Sequence, residues 1–227
     1  MNCAFIQARQ TSLRFNNKIF SKIDNYTIIE WVYLRLKKSK KLNDIFFLIP
    51  NNKKNDGLKN FLEKKKYNYI AGPEQNVLKR FYIGSKIVKP KKIIRICADN
   101  PFICWKSVDQ LINFFDRNKC HYAYNHIPIN NNFPDGIGGE IVGFKTLNKI
   151  YKNVKKSKHK EHIFNFIWEN EKLFIKKTYN HKNKKLNKPN IKLDINTKND
   201  LKILRSINPK IYDTSEKIIE KYEKKLI

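Results

Sequence analysis

Three cations, Arg9, Arg14 and Lys18, sit in one ten-residue stretch directly after a short apolar run, Cys3-Ala4-Phe5-Ile6. The run is of the kind that forms a buried strand, and the residues after it are polar and charged. A buried strand that opens into a cationic loop suits phosphate. In open α/β sheets, ligands lie beyond the carboxyl ends of the strands, where backbone N–H groups and cations converge. Ser12 adds a hydroxyl donor to the same loop. Surface cations taken singly usually serve solubility, but two of these three are arginines in a chain that otherwise prefers lysine. A guanidinium is a rigid fork that meets phosphate oxygens in pairs, so its choice here points to a geometric demand. The loop has no glycine, which excludes both the Walker loop and the G-x-G-x-x-G fingerprint.

Two further apolar runs end in an acid. Ile93 to Pro101, IIRICADNP, delivers Asp99 and Asn100 to the end of a strand. Alone, Asp-Asn-Pro is good turn chemistry. Opposite the cations, its carboxylate could share a hard ion such as Mg²⁺ with the phosphates of a nucleoside triphosphate. Leu193-Asp194-Ile195-Asn196-Thr197 repeats the design, with Asp194 pointing opposite to Leu193 and Ile195.

These tips need a scaffold that brings them to one edge. Thr27-Ile28-Ile29-Glu30 has the form of a capping box, and Ile28, Val32 and Leu36 recur at helical spacing. Asp44 to Pro50 reads as a strand buried on both faces. A helix around 58–66, a strand at 67–71, a helix at 75–88, a strand at 92–98, a helix at 107–118 and a strand at 121–126 come next. This alternation predicts an α/β fold, mostly parallel, with helices on both faces of the sheet. Beyond residue 126 the rhythm changes. A loop from Asn130 to Gly139 precedes a strand at 140–144 and helical stretches at 147–156 and 160–170. Leu173 to Tyr179 is expected as one arm of a hairpin, Lys182 to Lys188 as loop, and Ile191 to Ile195 as the last strand. Thr197-x-x-Asp200 caps the next helix, and a helix from 214 to 226 closes the chain.

The 227 residues suit one domain with a sizeable core. No apolar run is long enough to span a membrane, and no signal peptide is expected. Cys3, Cys97, Cys104 and Cys120 lack metal-site spacing, so they read as small core residues of a reduced, cytoplasmic protein. The net charge of +28 invites a nucleic-acid partner. The lysines, however, are spread along the chain together with an equal excess of asparagine, and no nucleic-acid motif accompanies them. Neither nucleic acid nor membrane is therefore expected as a partner.

The run IQARQTSLRFNNKIF resembles the opening motif, I-Q-A-R-x-G-S-x-R-x-x-x-K, of the cytidylyltransferase family that makes CMP-activated acidic sugars, in particular its spore coat polysaccharide branch. Ile6, Gln7, Ala8, Arg9, Ser12, Arg14 and Lys18 match. Thr11 replaces the usual Gly, and Phe15-Asn16-Asn17 replaces Leu-Pro-Gly. Asp99 falls on the metal-binding Asp of R-x-x-G-D-x-P, and Asp194 on the first acid of D-x-D, where Asn196 replaces the second. Residues 74–81 are similar to E-x-D-V-L-x-R-[FY], a helix start beside base and ribose, with Asn76 in place of Asp. Phe133-Pro134-Asp135-Gly136 with Glu140 is similar to F-P-D-G-x-x-x-E, and Lys160-Glu161-His162 to R-E-H. The matches run in family order from Ile6 to Leu201.

The resemblance implies a Rossmann-like nucleotide-diphospho-sugar transferase fold and transfer of CMP from CTP to an acidic or modified sugar, with release of pyrophosphate. It implies catalytic roles for Arg9, Arg14 and Lys18. Nucleotide contacts fall to these three with Gln7, Ala8, Ser12, Asn76, Val77 and Arg80, and acceptor contacts to Asp135, Glu140 and His162. One Mg²⁺ is expected on Asp99 and Asp194. A single domain of 1–227 is expected, with a nucleotide-binding part at 1–126, an acceptor-side and dimer-forming part at 127–190 and a closing part at 191–227, assembled as a homodimer. Two other readings stay open: a nucleotide-sugar-dependent glycosyltransferase, and a catalytically silent nucleotide-binding scaffold.

Overall fold

The opening apolar run forms a strand, β1 (Asn2–Gln7), whose side chains are buried on both faces. In the computed structural model, which describes residues 1–12 and 14–226, a single 3₁₀ turn and a two-strand ribbon, β2 (Lys22–Ile23) and β3 (Tyr26–Thr27), separate β1 from α1 (Ile28–Leu36). The expected capping box is present: Thr27 Oγ1 accepts from the Glu30 amide, and a Glu30 carboxylate oxygen accepts from the Thr27 amide at 2.9 Å. Then come β4 (Asp44–Pro50), α2 (Asp56–Lys64), β5 (Tyr69–Gly72), α3 (Val77–Val88), β6 (Lys92–Cys97), α4 (Trp105–Arg117) and β7 (Tyr122–Tyr124). The rest of the described chain gives β8 (Glu140–Gly143), α5 (Phe144–Asn153), α6 (Ser157–Glu161), α7 (Asn165–Trp168), β9 (Lys176–Lys177), α8 (Lys198–Ser206) and α9 (Ser215–Leu226).

Seven strands form one sheet in the order β5-β4-β1-β6-β8-β7-β9, in which only β8 runs against its neighbours. The α/β class and the mostly parallel sheet are as expected. Ala4 and Ile6 face one core with Val32 and Leu36 of α1, Leu58 and Leu62 of α2 and Leu111 of α4. Cys3 and Phe5 face another with Leu78 and Phe81 of α3 and Leu147 and Ile150 of α5. Two buried faces require apolar residues at consecutive positions, which is why these strands read as continuous apolar runs.

The register sets the site. Gln7 pairs with Leu48 on one side and Cys97 on the other, so the residues after β1 and after β6 leave the sheet at the same edge. The chain runs outward from β1 to β4 and β5, then returns on the other side of β1 as β6. This switch point is where open α/β sheets place their ligands.

Three expectations are corrected. Ile191–Ile195 is extended but outside the seven-stranded sheet. It bridges in parallel to Asp135 through Lys192, and Ile191, Leu193 and Ile195 pack into a separate core with Trp31, Phe133 and Leu204. The alternation that suggested a strand is real, but its apolar face is covered by α1 and the closing helices. The 173–179 segment contributes β9, which pairs in parallel with β7 as the edge strand of the sheet rather than as a hairpin arm. Residues 160–170 form two short helices rather than one, with the turn at His162–Phe164 between them.

Candidate functional site

The loop after β1 is pinned at both ends. The Gln10 amide donates to Asn55 Oδ1 at 2.8 Å, Gln10 Oε1 accepts from the Leu58 amide at 3.0 Å, and Gln10 Nε2 donates to Asn17 Oδ1 at 3.1 Å. Asn17, at the position where the resembled motif has glycine, takes a left-handed φ of 55°. Asparagine enters that region more readily than other non-glycine residues, so the turn survives the replacement.

From this loop the cations reach across the sheet edge. Lys18, only 11% exposed in its side chain, places Nζ 3.0 Å from an Asp99 carboxylate oxygen and 2.7 Å from the Ile195 carbonyl. One ammonium thus ties together the loop after β1, the turn after β6 and the extended 191–195 segment. Arg14 Nη2 donates to Asn196 Oδ1 at 3.0 Å, and Asn196 Nδ2 in turn donates to Asp194. Lys18, Asp99 and Arg14 border a cleft of about 540 Å³, whose walls also include Gln7, Ala8, Arg9, Ser12, Val77 and Arg80, whereas Asp194 and Asn196 lie outside that wall. His162 lies on its wall as well, with Ser157 and Glu161 of α6.

The acids form a second cluster behind Lys18. Asp135 and the 191–193 segment exchange backbone hydrogen bonds at 3.0 Å, which sets Asp135 beside Asp194. Gly136 is needed there: its φ is +91°, and a Cβ would lie 2.6 Å from the Asp194 amide nitrogen. Burial pushes the Asp135 carboxyl up to about 6, and the charges of Asp194 and Asp99 add to it. Burial also raises Asp194, again with Asp99 contributing. Asp194 Oδ1 is buried with no hydrogen-bond partner; its nearest cation is the Lys192 ammonium at 3.8 Å. Mutually repelling carboxylates with an unpartnered oxygen fit a hard divalent cation. No group of three or more His, Cys, Asp and Glu side chains stands at metal-binding spacing among the described residues. The fit is therefore to an ion such as Mg²⁺, which takes one or two carboxylates and fills its shell with phosphate oxygens and water.

Three expected contacts fall elsewhere. Glu140 does not line the cleft. It lies behind β6, 5% exposed, paired with Arg95 and accepting from the Tyr122 hydroxyl at 2.6 Å, with His126 Nε2 3.7 Å away. Burial works against its ionisation, but Arg95, His126 and Tyr122 outweigh burial and hold its pKa low. Asp135 is with the acids rather than on the cleft wall. Asn76 is likewise absent from the wall: its side-chain carbonyl caps α3 by accepting from the Lys79 amide at 2.8 Å. An aspartate would cap in the same way, so the exchange to Asn leaves the helix start in place.

Arg95 was the residue to find. It lines the cleft, with Nε donating to Gln7 Oε1 at 3.0 Å and Nη1 held by Glu140. Its signal was an arginine inside the apolar run IIRIC, where a charge requires a buried partner. Cys97 also lines the cleft, but burial pushes its thiol up to about 12, which leaves no nucleophilic thiolate at neutral pH.

A family model described as cytidylyltransferase matches residues 3–225. The chain belongs to the cytidylyltransferase family. An uncharacterized protein of Methanocaldococcus jannaschii is 33% identical over 198 residues, covering 87% of this chain and 79% of that protein. The spore coat polysaccharide biosynthesis protein SpsF of Bacillus subtilis is 27% identical over 211 residues, covering 90% and 85%. Among solved structures, a cytidylyltransferase from Leptospira borgpetersenii superposes with a TM-score of 0.90 at 23% identity, covering 99% of this chain and 95% of that one. The sheet order and the flanking helices of this cytidylyltransferase are therefore those of a nucleotidyltransferase fold.

Proposed function

We propose that the protein transfers CMP from CTP to a hydroxyl of an acidic or modified sugar for surface polysaccharide or glycan biosynthesis. Membership of the cytidylyltransferase family and the likeness to SpsF support the nucleotide and the acceptor class. The observation that carries the reading is the Lys18 ammonium, which holds Asp99 and the Ile195 carbonyl together at the rim of the cleft that Arg9 and Arg14 border.

In this reading the acceptor oxygen bonds to the α-phosphorus and the bond from that phosphorus to the β-phosphate oxygen breaks. Pyrophosphate leaves with the electron pair, and the hydroxyl proton passes to water. Such a displacement needs alignment and charge stabilisation rather than a covalent intermediate. Arg9, Arg14 and Lys18 hold the triphosphate, with Gln7, Ala8 and Ser12 beside them and Val77 nearer the base. Asp99 and Asp194 would hold Mg²⁺, which would supply charge neutralisation for phosphate oxygens. His162, with Ser157, faces the acceptor. Arg95, fixed by Glu140, forms the floor between the two substrates.

The whole of 1–227 acts as one cytidylyltransferase domain, and the 127–190 part forms a homodimer contact. Exposed Ile129, Leu173 and Ile175 in that part support this. The four free cysteines fit a reducing, cytoplasmic setting.

The test is incubation with CTP, Mg²⁺ and a panel of acidic and modified sugars while pyrophosphate is measured. The reading predicts sugar-dependent release from CTP. Binding of CTP with no release on any sugar favours the silent scaffold, and release of free nucleotide with transfer of the sugar to an acceptor, when a nucleotide-sugar is supplied in place of CTP, favours the glycosyltransferase.

A further inference from the structure

Two arginines, Arg35 and Arg80, are buried among the described residues, and a third, Arg95, is partly buried. Arg35 is completely buried, and donates to the carbonyls of Ile103, Ile211 and Asp213 and to the Ser215 hydroxyl. Arg95 is held by Gln7 and Glu140. Arg80 is different. It is 2% exposed, yet Nε and Nη1 are both buried with no hydrogen-bond partner among the described residues.

A buried cation without a partner is costly, and buried arginines are ordinarily paired. Burial lowers the Arg80 guanidinium to about 10, with the nearby charge of Arg9 pushing the same way, so it remains cationic at neutral pH. Glu74 acts against this without a hydrogen bond to Arg80, and one of its carboxylate oxygens accepts from the Asn52 amide at 2.7 Å. Arg9 itself makes no hydrogen bond or ion pair among the described residues. Both arginines border the same cleft. Gly72 makes room for the arrangement: a Cβ there would lie 2.8 Å from Arg80 Cγ.

Two guanidiniums on one cleft wall, close enough for the charge of Arg9 to act on Arg80, suit an anion that has several oxygens and more than one charge. A carboxylate satisfies one guanidinium; a phosphoryl group or pyrophosphate satisfies both. We propose that Arg80 pairs with Arg9 to bind the β- and γ-phosphates of CTP, and hence the departing pyrophosphate, rather than the base and ribose that the motif resemblance implies for it. The assignment rests on the CTP reading above and locates the leaving-group end of that site at the first turns of α3.

The test measures binding of pyrophosphate, CTP and CMP, each with Mg²⁺, to the full chain by calorimetry, for the parent, Arg80→Met and Arg80→Lys. In the parent, pyrophosphate competes with CTP and binds alongside CMP. Arg80→Met weakens pyrophosphate and CTP by roughly 10- to 100-fold, the scale of one or two charge-assisted hydrogen bonds, and leaves CMP within about twofold. Arg80→Lys, which keeps the charge but not the fork, falls between them. Because the substitution removes an unpartnered buried charge, the ligand-free Arg80→Met protein melts no lower than the parent, a result that a merely structural arginine would reverse. Equal weakening of CMP and CTP, unchanged pyrophosphate affinity in both variants, or no pyrophosphate binding by a parent that binds CTP would overturn the proposal. Absence of CTP binding by the parent would instead count against the cytidylyl-transfer reading.

Discussion

The Lys18 ammonium lies 3.0 Å from an Asp99 carboxylate oxygen, across 81 positions of sequence. That contact exists because Gln7 and Cys97 are register partners, so the turns after β1 and β6 emerge together. Through the Ile195 carbonyl the same ammonium fixes the segment bearing Asp194. A cation-rich loop and a cluster of acids therefore meet without cancelling, since Arg9, Arg14 and Arg80 remain on the cleft wall.

Arg14 lines the cleft, is exposed, and among the described residues its side chain makes one hydrogen bond, to Asn196 at 3.0 Å. Its substitution should leave the fold intact and remove charge stabilisation. Arg14→Ala is expected to lower kcat for CTP-dependent pyrophosphate release by ~10²-fold or more. The melting temperature should stay within a few degrees of the parent. Near-normal turnover would remove Arg14 from the site.

Glu140 and Arg95 form a buried pair. Removing one partner leaves an uncompensated charge, so Glu140→Ala should cost roughly 3–5 kcal/mol in urea unfolding. The double variant Glu140→Ala/Arg95→Met should recover much of that loss. Losses that simply add would mean that the two side chains do not depend on each other.

Asn17 holds a left-handed turn directly before Lys18. Asn17→Gly should be nearly neutral, because glycine meets no steric penalty there. Asn17→Val should lose about 1–2 kcal/mol and displace Lys18, with a fall in CTP affinity. Equal behaviour of the two variants in unfolding and CTP titration would contradict this.

Asp213 connects α9 to the body of the protein. Burial alone would raise its carboxyl, but Lys221, Lys217 and the Lys210 amide outweigh burial and hold it at about 2, against an ordinary 3.8. A depressed folded-state pKa contributes stability that is present above the unfolded value and lost as pH falls through the folded one. The contribution, about 2 kcal/mol at neutral pH, should fade between about pH 4 and pH 2. Urea unfolding of parent and Asp213→Asn should differ by that amount at pH 7 and converge near pH 2; a pH-independent difference would refute it.

Much of the site was readable from strand ends. A run such as CAFIQAR both announces a strand buried on two faces and marks where it stops, and the two threonine capping boxes locate the helices behind them. Pairing was harder. Ile191 to Ile195 alternates as a strand does, yet alternation records only that one face is buried, and here the covering surface is helical. Glu140 was placed by motif at the acceptor, but a sequence position cannot distinguish the wall of a cleft from the layer behind it. The backbone pairing between Asp135 and the 191–193 segment, which joins residues far apart in the chain, carries no local pattern at all.

The proposed mechanism requires the ends of β1, β6 and the 191–195 segment to enclose one nucleotide and its metal. The most direct measurement is a crystal structure of the protein soaked with CTP and Mg²⁺. The triphosphate is expected against Arg9, Arg14 and Lys18, with the ion on Asp99 and Asp194. A nucleotide bound away from these strand ends, or an ion held by other residues, would contradict that mechanism.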